Sequence, residues 1–172
     1  MELYSLLTIA LVAGIVTFGL YLTITTVANS VFEKQRWDIR SKNSEIVLPL
    51  RLQAYERMCL FLERITPNNL LLRLTGSATS ALDFQQLLLR EIREEFNHNL
   101  AQQVYMSNDA WEQIKKAMNE VVSLINQAAG EVQADAPANE LARKIFDKVI
   151  QQDIQPSTHA LKVLKKEIQA VF

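Results

Sequence analysis

The chain opens with a stretch in which apolar residues occupy every side of a helix instead of one face. No charged side chain occurs from Leu3 to Phe32, and the densest apolar part runs from Leu3 to Ile24. A helix of roughly 20 apolar residues is long enough to cross the hydrocarbon core of a bilayer. The stretch is too long for the apolar region of a signal peptide, and no basic residue precedes it. We therefore predict a retained transmembrane helix, with residues 1–28 as the anchor.

The residues on either side of this helix predict its orientation. Only Met1 and Glu2 precede it, whereas the polar segment 29–45 that follows carries four basic residues: Lys34, Arg36, Arg40 and Lys42. Positive charge near a membrane span is retained on the cytoplasmic side. We expect the N-terminus outside and the rest of the chain in the cytoplasm. We interpret the four basic residues mainly as this topology signal, with contact to lipid headgroups as the alternative.

From residue 46 onward the apolar residues recur with the helical period of about 3.6 residues. We expect Pro49 to kink or restart the helix. In the segment that follows, one arc of about 200° holds nine apolar positions: Leu50, Leu52, Ala54, Tyr55, Met58, Cys59, Phe61, Leu62 and Ile65. Leu60 falls on the opposite, polar face. Arg51 falls inside the apolar arc, so its stem is expected to reach towards water or lipid headgroups.

Helix start signals divide the rest of the chain into further amphipathic helices. Thr66 followed by Pro67 predicts a short helix that stops near Gly76. Two loose capping boxes predict the next two helices, and these begin at Ser80-Asp83 and Asp109-Glu112. The first of these helices is expected to reach about Tyr105, and Asn99 and Gln103 within its apolar stripe are expected to bond to backbone.

The last third contains a linker, GEVQADAP at 130–137, and two helices, over about 138–152 and from Pro156 onward. The apolar positions of the predicted helices from Ser80 onward are expected inside. In the helix that begins at Ser80 they are Ala81, Leu82, Leu88, Leu89, Ile92, Phe96 and Leu100, and in the helix that begins at Asp109 they run from Trp111 to Ala129 at helical spacing. In the last two helices they include Leu141, Ile145, Ile150, Leu161, Leu164, Ile168 and Val171. No segment has the period of a strand. The prediction is an all-α protein, with one N-terminal transmembrane helix followed by a cytoplasmic antiparallel helical bundle of five or six helices over residues 46–172.

Charge and cysteine content exclude several classes. The 172-residue chain has a formal net charge of −1, so no overall field attracts nucleic acid, and we expect no nucleic-acid partner. Cys59 is the sole cysteine, so an intramolecular disulfide cannot form. Its place on the apolar arc predicts an inert thiol with a raised pKa.

The strongest candidate for catalytic chemistry is REEFNHN at 93–99. Glu95 and His98 have the Glu-x-x-His spacing of di-iron helical bundles. Such sites need a second pair, and the other histidine, His159, has no glutamate three residues before it. No phosphate-binding or nucleophile motif is present. We expect no metal, no cofactor and no enzyme activity, with Glu95 and His98 as weak metal candidates.

Two stretches resemble a known family. LPLRLQAYERMCLFLERITPNNLLLRL at 48–74 and REEFNHNLAQQVYMSNDAW at 93–111 are similar to an uncharacterised family of small, singly membrane-anchored helical proteins from Bacteroidota. The resemblance implies an anchor in the bacterial inner membrane and a helical cytoplasmic domain. It implies no activity and no site residues.

These features favour a membrane-tethered interaction module: an adaptor, a scaffold or an accessory subunit. Its partner surface is expected on the polar helix faces that carry Glu56, Arg57, Glu63, Arg64 and Glu91. We expect a protein partner besides the bilayer. Self-association stays open because Ala10 and Gly14 form a small-xxx-small pair. The alternatives are a structural stalk resembling the b subunit of ATP synthase and a metal-dependent helical-bundle enzyme.

Overall fold

The protein is all-helical in the part of the chain that the structure describes. This computed structural model describes residues 2–152 and 156–170, without the side chains of residues 2–10, 12, 28, 30–33, 35–44 and 152. The helices are α1 (Glu2–Arg64), α2 (Pro67–Leu74), α3 (Ala81–Asn99), α4 (Asn108–Ala129), α5 (Ala138–Gln152) and α6 (Pro156–Gln169), with a 3₁₀ segment at Leu100–Tyr105. No strand occurs within those ranges, so the predicted all-α class is confirmed.

The chain divides into two compact units, an N-terminal unit of residues 1–48 and a C-terminal unit of residues 49–172. Helix α1 contributes residues to both. Pro49 lies inside α1. Of the two predicted effects, a kink or a restart, the restart does not occur, because the helix continues through Pro49. Proline removes one amide donor, but the backbone bonds on both sides of it continue the helix.

The C-terminal unit is built around one apolar core to which every helix contributes. Its fully buried side chains include Phe61, Phe84, Ile114, Leu141 and Leu164. Helix α4 lies at the centre, because it packs against α3, α5 and α6. Helices α3 and α4 are antiparallel: Gln85 bonds to Asn126 near one end, and the ring of Phe96 stacks on Trp111 near the other.

The predicted inward face of α1 is confirmed over most of its length in this unit. Ala54, Tyr55, Met58, Phe61, Leu62 and Ile65 are buried, and Leu60 is exposed. Leu50 and Leu52 were expected in the core, but they are 42% and 37% exposed. Periodicity identifies the side of a helix that faces its neighbours, but not how far along the helix those neighbours extend.

The N-terminus of α3 is held by the loop before α5. The first two amides of α3 donate to that loop, Ala81 N to Ala136 O at 2.8 Å and Leu82 N to Ala134 O at 3.1 Å. Ser80 Oγ accepts from Asp83 N at 3.1 Å, as the capping prediction required. The amides of Ala81, Leu82 and Asp83, which have no partner within the helix, are therefore satisfied, and Phe84 N makes the first bond inside the helix, to Ser80 O. The two loops are thereby joined, and Ser80 and Pro137 form an isolated antiparallel bridge.

Replacing Ser80 with alanine is expected to lower the free energy of unfolding by about 1 kcal/mol, because it removes this cap. Chemical denaturation of the full-length protein in detergent micelles measures the change. Ser77→Ala in the same loop is the matched control, since Ser77 lies outside the cap. Equal effects of the two substitutions would show that the cap does not stabilise α3.

The end of α3 and the start of α4 differ from the sequence-based expectations. Helix α3 ends at Asn99 and gives way to the 3₁₀ segment, whereas the prediction had it reaching Tyr105. Asn99 Nδ2 donates to Glu95 O at 2.9 Å, so the predicted backbone bond of this buried amide is confirmed. The Leu100 amide bonds to Asn97 O, three residues earlier, whereas an α-helix would use Phe96 O, and this tightens the turn. The N-cap of α4 is Ser107 rather than Asp109, because Ser107 Oγ accepts from Ala110 N.

Several residues predicted to be inside are exposed. Leu82, Leu100, Gln103 and Ile150 lie at the surface, whereas Phe84, which was left out of the predicted α3 stripe, is fully buried. The loop 130–137 covers the start of α3. The spacing of apolar residues within α3 does not predict which side of the helix a distant loop will cover. Val171, predicted to face inward, lies outside the described residues.

Candidate functional site

The described side chains of α1 between residues 11 and 27 include apolar groups exposed on every side. Nine of them are between 47% and 65% exposed: Leu11, Ile15, Val16, Phe18, Leu20, Tyr21, Leu22, Ile24 and Val27. Consecutive residues project from a helix about 100° apart, so these nine side chains together surround the helix and leave no continuous polar face.

The described threonine hydroxyl groups in this part of α1 bond to carbonyls of the helix itself. Thr17 Oγ1 donates to Ala13 O at 2.9 Å, Thr23 Oγ1 donates to Gly19 O at 3.1 Å, and Thr25 Oγ1 donates to Tyr21 O at 3.0 Å. Threonine makes such bonds to the carbonyl four residues earlier when no better partner is present. These hydroxyls therefore require no water.

Within the described residues, we find no helix that is both long enough and apolar enough to cross a membrane. The predicted span Leu3–Ile24 includes positions 3–10 and 12, whose side chains fall outside the described residues. The side chains of Ala10, Arg36, Arg40 and Lys42 also lie outside them, whereas Lys34 is described and exposed. Gly14 has open space around it, and a Cβ added there would meet no described atom within 4 Å.

A partly buried polar cluster lies where α1, the start of α4 and the end of α6 meet. We call Arg51, Tyr55, Tyr105, Ser107 and Glu167 the Glu167 cluster. Arg51 Nε donates to Tyr105 O at 3.2 Å, and an Arg51 NH₂ group donates to the Tyr55 hydroxyl at 3.2 Å. Tyr55 donates in turn to Glu167 Oε1 at 2.5 Å. The Ser107 amide donates to the same oxygen at 2.8 Å, and the Ser107 hydroxyl donates to Glu167 Oε2.

The electrostatics of the cluster favour an ionised glutamate beside a neutral tyrosine. Burial would raise the pKa of Glu167, but the hydrogen bonds from Ser107 and Tyr55 and the charge of Arg51 outweigh it, so this pKa is lowered. Burial also raises the pKa of Tyr55, and Glu167 adds to that rise while Arg51 opposes it. Arg51, Tyr55 and Ser107 each donate at least one hydrogen bond within the cluster. The cluster joins α1 to α6 and lets a carboxylate cap the N-terminus of α4.

The Glu167 cluster also corrects the expectation for Arg51. Its guanidinium binds Tyr105 and Tyr55 instead of reaching water or lipid headgroups. The sequence offered one signal, an arginine inside an apolar arc one turn before a tyrosine. Tyr55 lies one turn further along α1, but Tyr105 lies 54 residues away in the chain, so periodicity could not identify Tyr105 as a partner.

The predicted partner surface is partly engaged in ion pairs of the C-terminal unit. Arg64 pairs with Glu95 at 3.3 Å, and Arg73 pairs with Glu91 at 2.9 Å. Exposed pairs of this kind contribute about 0–1 kcal/mol each. Glu56, Arg57 and Glu63 are exposed and form no ion pair with a described residue. These three remain open to a partner.

Glu95 and His98 do not form a metal site in the described part of the chain. No group of three or more histidine, cysteine, aspartate or glutamate side chains there could hold an ion. Glu95 already pairs with Arg64, and His98 is exposed one turn further on. A di-iron bundle would bring further carboxylates to the same point between helices.

A second ionic cluster holds the loop before α5. Lys144 Nζ donates to Glu131 Oε2 at 2.7 Å, and the nearly buried Lys148 donates to Glu131 Oε1. The hydrogen bond from Lys144, followed by that from Lys148, lowers the pKa of Glu131 from 4.5 to about 2. The two lysines thereby attach the loop to one face of α5.

Acid is expected to weaken this attachment. The folded-state pKa of Glu131 lies below its ordinary value, so its contribution to stability is present above pH 4.5 and is lost as pH falls towards 2. Glu131→Gln is expected to show a smaller loss of thermal stability over that window than the unmodified protein. Glu140→Gln, which changes an exposed glutamate that pairs with no described residue, is expected to keep the full loss. Parallel curves for all three proteins would contradict the assignment.

Two further candidates for chemistry are a thiol and an apolar-lined pocket. Burial raises the pKa of the half-buried Cys59 thiol, and the charge of Lys165 offsets part of this rise. The direction agrees with the predicted raised pKa, and the low reactivity of the thiol stays a prediction. A pocket of about 290 Å³ lies between the loop 75–80 and the start of α5. Its polar lining consists of Thr75, Thr79 and Asn139, and none of its lining residues is ionisable. It therefore offers no general acid or base from its own walls.

Comparisons with known proteins are consistent with a family whose activity is not established. No curated protein matches the chain, and no solved structure matches it. The sequence model of one family matches residues 1–171, which is nearly the whole chain. This agrees with the resemblance found at 48–74 and 93–111 as far as an uncharacterised family is concerned. The protein belongs to the family of unknown function DUF7935.

Proposed function

We propose that the protein is a membrane-tethered interaction module with no catalytic activity of its own. In this proposal the N-terminal part of α1 lies in the bacterial inner membrane, with the N-terminus outside. The C-terminal unit lies in the cytoplasm and holds a protein partner there. The observation that carries the proposal is the run of apolar side chains between residues 11 and 27, which are exposed on every side of α1.

Lipid is the environment that suits such a helix. Exposed apolar area on this scale is unfavourable in water at about 25 cal/mol per Å². In hydrocarbon, each backbone and side-chain polar group must find its partner within the helix. The threonine hydroxyls of α1 do so, through their bonds to carbonyls three and four residues earlier. Tyr21, near the inner end of the predicted span, has the amphipathic ring that favours a membrane interface.

The polar groups favour binding of a protein partner over catalysis, because the polar clusters connect parts of the fold while several charges on α1 are exposed and unpaired among the described residues. The Glu167 cluster joins α1, α4 and α6, and the ion pairs of Glu131 with Lys144 and Lys148 attach the loop 130–137 to α5. The exposed charges at Glu56, Arg57 and Glu63 lie on the outer face of α1 without an ion-pair partner among the described residues. A complementary protein surface would meet these charges together with Leu60.

Alkaline extraction of native membranes tests the first half of the proposal, since an inserted helix stays in the pellet and a peripheral protein is released. Mild detergent extraction, mass spectrometry and sizing test the second half. A partner at fixed stoichiometry, lost on Arg57→Glu and retained on Arg143→Glu, would support the proposal. Recovery of this chain alone from native membranes would count against the interaction role.

A structural stalk is the second candidate, because α1 is a continuous helix of 63 residues. A stalk of the ATP synthase type pairs two long charged helices, whereas most residues of the C-terminal unit fold into a core of their own. Small-angle scattering of the detergent-solubilised protein separates the two roles. An elongated two-chain particle would favour the stalk, and a compact single chain would exclude it.

A further inference from the structure

The pocket between the loop 75–80 and the first turns of α5 has a mostly apolar lining. Its volume is about 290 Å³, and its apolar lining consists of Ala78, Phe84, Pro137, Ala138 and Ala142. Phe84 is fully buried and forms the inner end, whereas Pro137 is exposed at the mouth. A cavity of about 150 Å³ with apolar walls is large enough to hold benzene. This pocket therefore has room for an aromatic ring and a polar group attached to it.

Backbone hydrogen bonds hold the walls of this pocket in place. Ala138 N donates to Thr79 O at 3.1 Å, which joins the loop to the start of α5. Where the loop begins, Thr75 N donates to Leu71 O at 2.8 Å, and the Thr75 hydroxyl donates to the same carbonyl. Gly76 follows with a φ of 88°, which favours glycine. The walls are thus formed without a ligand, so binding has to order little of the chain.

The lining is uncharged but offers two polar side chains that the fold does not use. Neither the Thr79 hydroxyl nor the Asn139 side-chain amide forms a hydrogen bond with a described residue. The hydroxyl can donate and accept, and the amide provides donors and an acceptor. None of the lining residues is ionisable. A charged ligand would therefore lose hydration without meeting an opposite charge in the lining, and a neutral ligand is favoured.

The surface around the mouth favours a free small molecule over a side chain of a protein partner. A stable protein interface covers about 800 Å² on each partner and has large apolar side chains at its centre. The exposed residues that line this mouth, or lie next to it in the chain, are small or polar: Gly76, Ser77, Thr79, Asn139 and Glu140. Apolar contact is therefore confined to the pocket itself.

We propose that this pocket binds a small neutral aromatic molecule that carries an amide or a similar uncharged polar group. The ring packs against Phe84 and the alanines of α5, and the polar group bonds to Thr79 and Asn139. Aromatic rings attract each other by more than the area they bury. Small-molecule sites typically combine an apolar lining with a few polar groups that fix orientation. Such binding is independent of the membrane and partner roles proposed above.

Titration of the full-length protein in detergent micelles with benzamide, followed by NMR, tests the site. The chain has four glycines, so ¹⁵N-glycine labelling gives four amide signals. Gly76 lines the pocket, and carbonyl-labelled threonine identifies its signal, because no other glycine follows a threonine. We expect this signal to shift saturably, with a dissociation constant on the order of 1 mM for a ligand of this size. The signals of Gly14, Gly19 and Gly130 should not follow it.

Benzoate and benzamidinium test the preference for a neutral ligand. They keep the ring and nearly the shape of benzamide but carry one negative or one positive charge. Each is expected to bind at least about 10-fold more weakly than benzamide, because the lining has no group that would replace the hydration of the charge.

Substitutions in the lining test the location of the site. Ala142→Leu fills the pocket from α5 and is expected to abolish the Gly76 shift, whereas Gln151→Leu at an exposed position of the same helix should leave it unchanged. Asn139→Ala is expected to weaken benzamide binding by about 3- to 10-fold through a lost hydrogen bond. Asn119→Ala, at an exposed position of α4, is its control.

Three results would overturn the proposal: no saturable shift of Gly76, equal binding of the charged ligands, or binding that survives Ala142→Leu. Equal shifts of Gly14 and Gly19 would also overturn it, because benzamide would then be entering the detergent. N-acetyl-phenylalaninamide, which carries the ring on a peptide backbone, is expected to bind no more tightly than benzamide. Tighter binding would assign the pocket to a side chain of a protein partner instead of a free small molecule.

Discussion

Replacing Ile15 with lysine is expected to lower membrane insertion of the protein by on the order of 100-fold. Ile15 lies near the middle of the predicted span, and 65% of it is exposed. A lysine at the centre of a transmembrane helix is unfavourable by about 3 kcal/mol on insertion scales, and the lost isoleucine adds a few tenths. The measurement is the fraction of protein that stays in the membrane pellet after alkaline extraction.

Leu60→Lys is the control for this result. Leu60 is 55% exposed on the same helix, but it belongs to the C-terminal unit and should tolerate a lysine in water. Retention of the Ile15→Lys variant at the level of the unmodified protein would show that lipid does not surround residue 15. Release of both variants would show that added charge on α1, and not its position, causes the effect.

Replacing Phe61 with alanine is expected to lower the free energy of unfolding of the C-terminal unit by about 3–5 kcal/mol. Phe61 is fully buried, and its ring centroid lies 5.7 Å from that of Phe96. The substitution removes apolar contacts and leaves a cavity that the neighbouring rings fill only in part. Because whole domains are stable by roughly 5–15 kcal/mol, this change alone could unfold the unit.

Leu60→Ala, one residue away on the outer face, is expected to change stability by about 0.5 kcal/mol or less. Denaturant titration in detergent micelles, followed by circular dichroism, measures both variants. A small effect of Phe61→Ala would mean that the core around Phe96 and Trp111 contributes little to stability. A large effect of Leu60→Ala would mean that Leu60 is covered in the protein.

Helix periods and caps were readable in the sequence because they depend on neighbours within one turn. The spacing of Ala54, Met58, Phe61 and Leu62 identified the buried face of α1, and Ser80 identified the start of α3. The range predicted for α5, about 138–152, agrees with the observed Ala138–Gln152. Local interactions of this kind act between residues three or four positions apart.

Predictions of the polar surface were less accurate, because ion pairs between different helices join residues that are far apart in the sequence. Glu56, Arg57, Glu63, Arg64 and Glu91 share the composition of any solvated helix face, so the sequence could not distinguish paired charges from free ones. Arg64 and Glu91 are paired with Glu95 and Arg73 across helices. The Glu167 cluster was missed because Glu167 lies 112 residues from Tyr55 in the chain.

The order of residues alone specified an all-α protein, the unbroken apolar stretch at its start and the inward face of most helices, because each depends on hydropathy within a few turns. Tertiary structure decided where Arg51 binds, that a carboxylate from α6 caps α4 and that the loop 130–137 closes the start of α3. It also left Leu50, Leu52 and Val104 without cover. Burial and ion pairing are properties of residues brought together by folding, and the helical period contains no information about which helix ends will meet.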